Sequence, residues 1–289
     1  MNLWYTVVDK DRYRQMQKKI AIINDIAGFG RCAVAVELPI ISYMGVQCCP
    51  VPTAILSNHM GYPNYFIDDY TDRMEAYIDN WRKLGLTFDG IATGFLGSVR
   101  QIEIVKNFLD TFRKKDTLVI VDPVMGDHGR LYSTYTEELC DRMKELIGYA
   151  DIATPNLTEA CRLADVPYRE GVWRKKDLYA MAEQITSLGP SRVVITGIPQ
   201  GEFIANYVYE RGMEPQIIRT HRAGAERSGT GDVFSSIIAA DGVNGVPFHK
   251  SVRKASGFVK KCIVRSDERE VPKTDGVCFE EILYQLKRD

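Results

Sequence analysis

The chain has 289 residues, of which 45% are hydrophobic and 26% charged, and its formal net charge is −1. That balance describes a soluble globular protein with a sizeable core and gives no basic face to nucleic acid or a membrane surface. No apolar run reaches the length of a membrane span, no signal peptide is visible, and the seven cysteines lack metal-type CxxC spacing, so a cytoplasmic protein with reduced thiols is expected.

Residues 1–15 mix aromatic and charged side chains without periodicity and read as a flexible extension or a mis-called start, leaving one domain over 16–289. The apolar run Ile20-Ala21-Ile22-Ile23 predicts a strand ending at Asn24-Asp25. A helix over 34–44 closes at Gly45, a strand follows over 46–53, and a second helix covers 69–84. Strand 90–93 leads through a turn to a helix over 99–113, and Leu118-Val119-Ile120-Val121 is the cleanest buried strand. Helices over 136–147 and 158–164 flank strand 151–154, and helix 176–188 precedes strand 192–196. Cys48 and Cys49, adjacent on a strand, point to opposite faces and should not pair. Strand–helix alternation with continuous apolar strands predicts an α/β fold: a mostly parallel sheet with helices on both faces.

Polar residues collect where these strands end: Asn24-Asp25, Thr53, Gly94, Asp122, Asn156 and Thr196-Gly197. In open α/β sheets that edge binds ligands. Further on, Arg227-Ser228-Gly229-Thr230-Gly231-Asp232 precedes an apolar helix-like run. Two glycines around a hydroxyl residue can turn backbone N–H groups toward an anion, and the helix N-terminus adds its dipole. Asp232 would then sit beside a phosphate, a place for a carboxylate that takes a proton from an attacking hydroxyl. A helix start with an acid in its first turn explains the same letters.

Other motifs are weaker. Gly28-Phe29-Gly30-Arg31-Cys32-Ala33 matches the dinucleotide pattern GxGxxA, but four residues separate it from the predicted strand end and no acid closes the next strand. A Walker phosphate loop is absent, and the four histidines show no metal-ligand spacing. Asp122 and Asp127, bracketing Pro123 and Gly126, suit a turn facing Mg²⁺ or phosphates, or a solvated turn. Asn156 and Glu159 set an amide and a carboxylate at i and i+3 as oxygen ligands for hydrated Mg²⁺, or as a capping box. His59, in Ser57-Asn58-His59, reads as an ordinary loop or helix-start histidine.

Together with Gly94-Phe95-Leu96-Gly97-Ser98 and Thr53-Ala54-Ile55-Leu56-Ser57-Asn58-His59, these motifs resemble the ribokinase-like small-molecule kinases, and within them the pyridoxal (vitamin B6) kinases, from about residue 19 onward. The resemblance implies a three-layer ribokinase-like fold and transfer of the γ-phosphoryl group of ATP to a pyridine hydroxymethyl group. Asp232 would be the base, and Gly229, Thr230 and Gly231 would form the anion hole. Asn24, Asp25, Thr53, His59, Phe95 and Tyr132 would line the substrate pocket. Asp122, Asp127, Asn156, Thr196 and Gly197 would serve the nucleotide, with Glu159 and Asp122 on the Mg²⁺ side, Glu159 through a water. Residues 127–132 would form a lid. A monovalent cation (K⁺ or Na⁺) and a homodimer also belong to the implied set. Phe95 stands where many relatives have tyrosine, and Asn24 replaces a common serine. Hydroxymethylpyrimidine kinases share the machinery and are the alternative, with a non-catalytic ligand-binding relative and a sugar or nucleoside kinase further off.

Overall fold

Side chains alternate across a strand, so a strand covered on both faces is apolar throughout. In the computed structural model, which describes residues 17–286, β1 (Lys19–Phe29) sends Ala21 and Ile23 into one core and Ile20 and Ile22 into the other. The extension expected over residues 1–15 lies outside the described residues.

After β1 come α1 (Val34–Tyr43), β2 (Gln47–Asn58), β3 (Ile67–Asp69), α2 (Thr71–Lys83), β4 (Gly90–Thr93), α3 (Val99–Phe112) and β5 (Leu118–Val121). A short hairpin, β6 (Gly126–Asp127) and β7 (Arg130–Leu131), precedes α4 (Glu137–Ile147), β8 (Ile152–Ala153), α5 (Leu157–Leu163) and α6 (Lys175–Leu188). The chain continues through β9 (Arg192–Gln200), β10 (Phe203–Glu210), β11 (Gln216–His221), α7 (Thr230–Val243) and α8 (Phe248–Glu268). Nine strands form one sheet in the order β11-β10-β9-β8-β5-β4-β1-β2-β3. It is parallel from β9 to β2 and antiparallel at both margins, where β10, β11 and β3 are added. One face packs on α2 to α6 through Met74, Phe108, Leu139 and Met181; the other packs on α1, α7 and α8 through Ile40, Ile237 and Phe258.

Two sequence expectations are corrected here. β1 does not stop at Asn24-Asp25 but runs to Phe29, paired with a β2 that reaches Asn58. The register slips between Asn24 and Ile26, where β2 carries one residue more, and such bulges re-aim side chains. The GxGxxA segment therefore begins inside a strand, so its predicted distance from the strand end does not exist. Its backbone is also engaged otherwise: the Arg31 N–H donates to the Asp275 carbonyl at 3.1 Å.

Candidate active site

The carboxyl ends of β1, β2, β4, β5, β8 and β9 and the start of α7 all open on one edge of the sheet. α7 begins at Thr230 because Gly229 supplies the left-handed conformation (φ 79°) that reverses the chain. A side chain at Gly229 would also collide with the Arg31 carbonyl oxygen, so the turn preceding α1 and the turn preceding α7 are packed backbone to backbone. Arg227 anchors the same loop from below: its guanidinium is nearly buried, donates to the Val271 carbonyl at 2.7 Å and pairs with Asp267 at 2.7 Å.

Asp232 follows in the first turn of α7, half-buried. Desolvation raises its pKa, opposed by the Ala33 N–H, the Asn24 amide and its own N–H. Asp25 is pushed up to about 7 by burial and then by the charge of Asp232. Asp122, within hydrogen-bond reach of Ser235, rises to about 8 for the same two reasons. Glu159 rises through burial and then Asp122, although the N–H groups of Asn156 (2.8 Å) and Met125 (3.1 Å) both donate to it. Among the described residues, none of these four carboxylates is paired with a lysine or arginine. A site of uncompensated oxygen donors fits a hard divalent cation, and it would repel phosphates unless one accompanied them. Among the described residues, no three His, Cys, Asp or Glu side chains already converge into a metal cage.

The expected site residues divide into those facing the edge and those holding it. Asp25, Asp122 and Asp232 are drawn together, and the Tyr132 phenol lies near enough to Glu159, Asp127, Asp122 and Asp232 for their charges, after burial, to push its pKa up. Asn24 and Thr53 are only 1% and 0% exposed. Thr53 donates its hydroxyl to the Phe95 carbonyl at 3.0 Å, and the Asn24 oxygen accepts the Phe95 N–H at 2.8 Å, so both brace the wall from behind. Both ring nitrogens of His59 are occupied, Nδ1 by the Gly61 N–H (3.1 Å) and Nε2 by the Thr274 carbonyl (2.6 Å). Asn156 and Glu159 form the capping box of α5, and the Asn156 amide also donates to the Gly126 carbonyl, tying down the β6–β7 hairpin. Asp127 is exposed on that hairpin. Thr196 bridges to Asn156, and Gly197 already donates its N–H to Asn206 at 3.1 Å. Sequence reasoning overlooked Glu37, buried on α1 beside this cluster; its signal was an acid spaced with Val34, Ile40 and Ile41 on the apolar face.

The phosphomethylpyrimidine kinase family model matches residues 37–276. The chain belongs to that family. It is similar to a solved structure of a Bacteroides thetaiotaomicron protein provisionally described as a phosphomethylpyrimidine kinase, at 38% identity and a TM-score of 0.92 over 96% of both chains. Another crystal form of that protein, with pyridoxal, gives 38% identity and a TM-score of 0.90 over 94% of this chain and 96% of that one. The pyridoxal kinase of Arabidopsis thaliana is 28% identical over 214 residues, which span 68% of this chain and 65% of that enzyme, just under two thirds. A pyridoxine/pyridoxal/pyridoxamine kinase of Bordetella avium is 28% identical over 246 residues, 81% of each chain. The fold is the ribokinase-like one, with its mostly parallel sheet between two helical layers.

The raised carboxylates have a measurable consequence. Asp25 holds its proton to about pH 7 in the folded chain, against 3.8 as its ordinary value, so between these limits the unfolded chain binds fewer protons. Stability from this group is full below about 3.8 and is lost as pH rises through about 7, with Asp122 extending the loss to about 8. The melting temperature of the metal-free protein should fall from pH 5 to pH 8, and Asp25→Asn should flatten the fall. A melting temperature that rises over this range, or a slope unchanged in the variant, would contradict the electrostatic picture.

Proposed function

We propose that the chain phosphorylates the 5'-hydroxymethyl group of a B6 vitamer (pyridoxal, pyridoxamine or pyridoxine) with ATP, as in salvage of pyridoxal phosphate. The observation that carries this reading is Asp232, set one residue beyond the Gly229-Thr230-Gly231 turn at the start of α7 and half-buried among unpaired carboxylates. Anion-binding N–H groups and a base of raised proton affinity then stand side by side, which is what transfer of a phosphoryl group to an alcohol requires.

Asp232 takes the hydroxyl proton as the new O–P bond forms. The N–H groups of Gly229, Thr230 and Gly231 bear on the charge of the phosphoryl in flight, aided by the α7 dipole. Asp122, and Glu159 through a water, would hold Mg²⁺, which neutralises phosphate charge when bound. Thr196 and Gly197 border the nucleotide, and the β6–β7 hairpin with Asp127 and Tyr132 serves as the lid that keeps water out. Asp25 and Phe95 wall the ring site.

A homodimer is part of the reading, supported by exposed apolar residues gathered at the β2–β3 margin: Ile55, Tyr65, Phe66 and Ile67, with Phe29 beside them. Sedimentation at micromolar concentration reads this directly, and a monomer would count against it. All seven cysteines are free, which fits a reducing cytoplasm, and among the described residues no helix is long and apolar enough to cross a membrane.

The family match keeps hydroxymethylpyrimidine as the second candidate substrate; the pyridoxal-bound Bacteroides relative favours the pyridine. Steady-state kcat/KM for the three vitamers and for hydroxymethylpyrimidine decides between them. The expected result is a preference of about 10-fold or more for at least one pyridine, as one well-placed polar contact gives. Equal or better use of the pyrimidine would move the chain to thiamine precursor synthesis.

A further inference from the structure

Glu37 stands in the first turn of α1, only 4% exposed, among Val34, Val36, Ile40 and Ile41. A carboxyl group in such a seam is costly unless it is hydrogen-bonded, and a helix N-terminus only partly offsets that cost. Its partner is Asn24, whose Nδ2 donates to Glu37 Oε2 at 3.1 Å. The other end of the Asn24 amide accepts two backbone donors: the Asp25 N–H at 2.9 Å and the Phe95 N–H at 2.8 Å. Only one flip of the amide permits all three bonds. Turned over, its NH₂ would face two N–H donors and its oxygen would face the Glu37 oxygen. Steric fit alone does not choose between flips, because the oxygen and nitrogen are nearly the same size. The two backbone donors fix which end carries the oxygen, and Glu37 Oε2, with Asp232 also in reach of the Asn24 amide, gives the NH₂ end its acceptor and holds the side chain in place. The site is also built for close approach: a side chain at Gly94 would collide with the Asn24 amide.

We propose that Glu37 is a positioning residue for the vitamer pocket, anchoring the NH₂ end of Asn24 so that its oxygen clamps Asp25 on β1 to the Gly94–Phe95 turn after β4. The inference rests on the reading of Asp25 and Phe95 as walls of the ring site. The charged or titratable groups that bear on Glu37 are Asp232 from α7, Asp25 from β1, Asp122 after β5, Cys32 before α1 and Cys48 from β2. None is a cation, so replacing Glu37 breaks the clamp without breaking an ion pair.

The test compares Glu37→Ala, Glu37→Leu and Glu37→Gln with the wild-type chain. Leucine fills the vacated volume and serves if the alanine variant does not fold. Glutamine keeps an acceptor for Asn24 and removes the ionisable group. In both apolar variants the Asn24 side-chain amide signal, assigned by its loss in Asn24→Asp, should shift and exchange faster in the substrate-free protein. The KM for pyridoxal should rise about 10-fold, the worth of one buried hydrogen bond, with the KM for ATP held within about 2-fold. Glu37→Gln should recover most of both losses. An unmoved Asn24 signal, equal losses for ATP and pyridoxal, or a glutamine variant as poor as leucine would each overturn the proposal. Should the wild-type chain leave pyridoxal untouched, the functional reading fails, and the amide signal still decides the part played by Glu37.

Discussion

Asp232→Asn is expected to lower kcat by about 10²-fold or more while the KM for ATP stays near its wild-type value. The substitution preserves shape and an oxygen for the Ala33 N–H, so the start of α7 should form as before. On the proposed reading, what disappears is the acceptor for the hydroxyl proton. An ordinary aspartate is a weak base toward an alcohol; desolvation strengthens this one. The same substitution has a second expected effect. Asp232 is the second cause, after burial, of the raised pKa values of Asp25 and Asp122. Removing its charge relieves that repulsion, so the metal-free variant should melt higher than wild type at pH 8. An inert but stabler enzyme is what a strained catalytic centre predicts. Near-normal turnover would remove Asp232 from its role, and a lower melting temperature would contradict the repulsion.

Gly229→Ala should be the most damaging single methyl at the site. It forces a non-glycine residue into φ 79° and drives a Cβ into the Arg31 carbonyl, where backbone must give way. The N–H groups of the proposed anion hole move with it, so the expected loss in kcat is about 10²–10³-fold, the scale of one lost oxyanion donor. Gly231 provides the contrast. Beyond its chain neighbours and the backbone of its own helix, no atom of the described residues lies within 4 Å of a Cβ there, so Gly231→Ala should leave the melting temperature unchanged and lose activity only through the bound phosphoryl. Thermal melts and initial rates on the two variants distinguish the cases. A fully active Gly229→Ala variant would count against the anion hole.

The parallel centre of the sheet was legible because its strands are short, apolar on both faces and flanked by amphipathic helices; Leu118–Val121, ending at Asp122, is the clearest instance. The margins were not. β10 and β11 are antiparallel additions beyond Thr196, outside the strand–helix alternation that guided the reading. The pattern ends β1 at Asn24-Asp25 because polar residues usually close a strand. Here the Asn24 side chain satisfies the neighbouring backbone donors, and the strand continues. The site followed the same division. Sequence placed Asn24, Thr53 and Asp122 at one edge, since strand ends fix that. It could not tell that Asn24 and Thr53 lie beneath the surface, or that Glu159 spends both oxygens on backbone N–H groups, because exposure depends on the packing of β1, β2 and the Gly94–Phe95 turn. Glu37 was missed because an acid in a first helical turn ordinarily faces solvent.

The most direct test of the central claim is the identity of the phosphorylated product. Phosphorus NMR of a reaction of pyridoxal with Mg-ATP should reveal ADP and, in equal amount, a new phosphate monoester whose phosphorus couples to two methylene protons. Asp232→Asn should form neither at a comparable rate. Inorganic phosphate appearing in place of the ester, or ATP left intact beside a folded protein that binds it, would contradict the account.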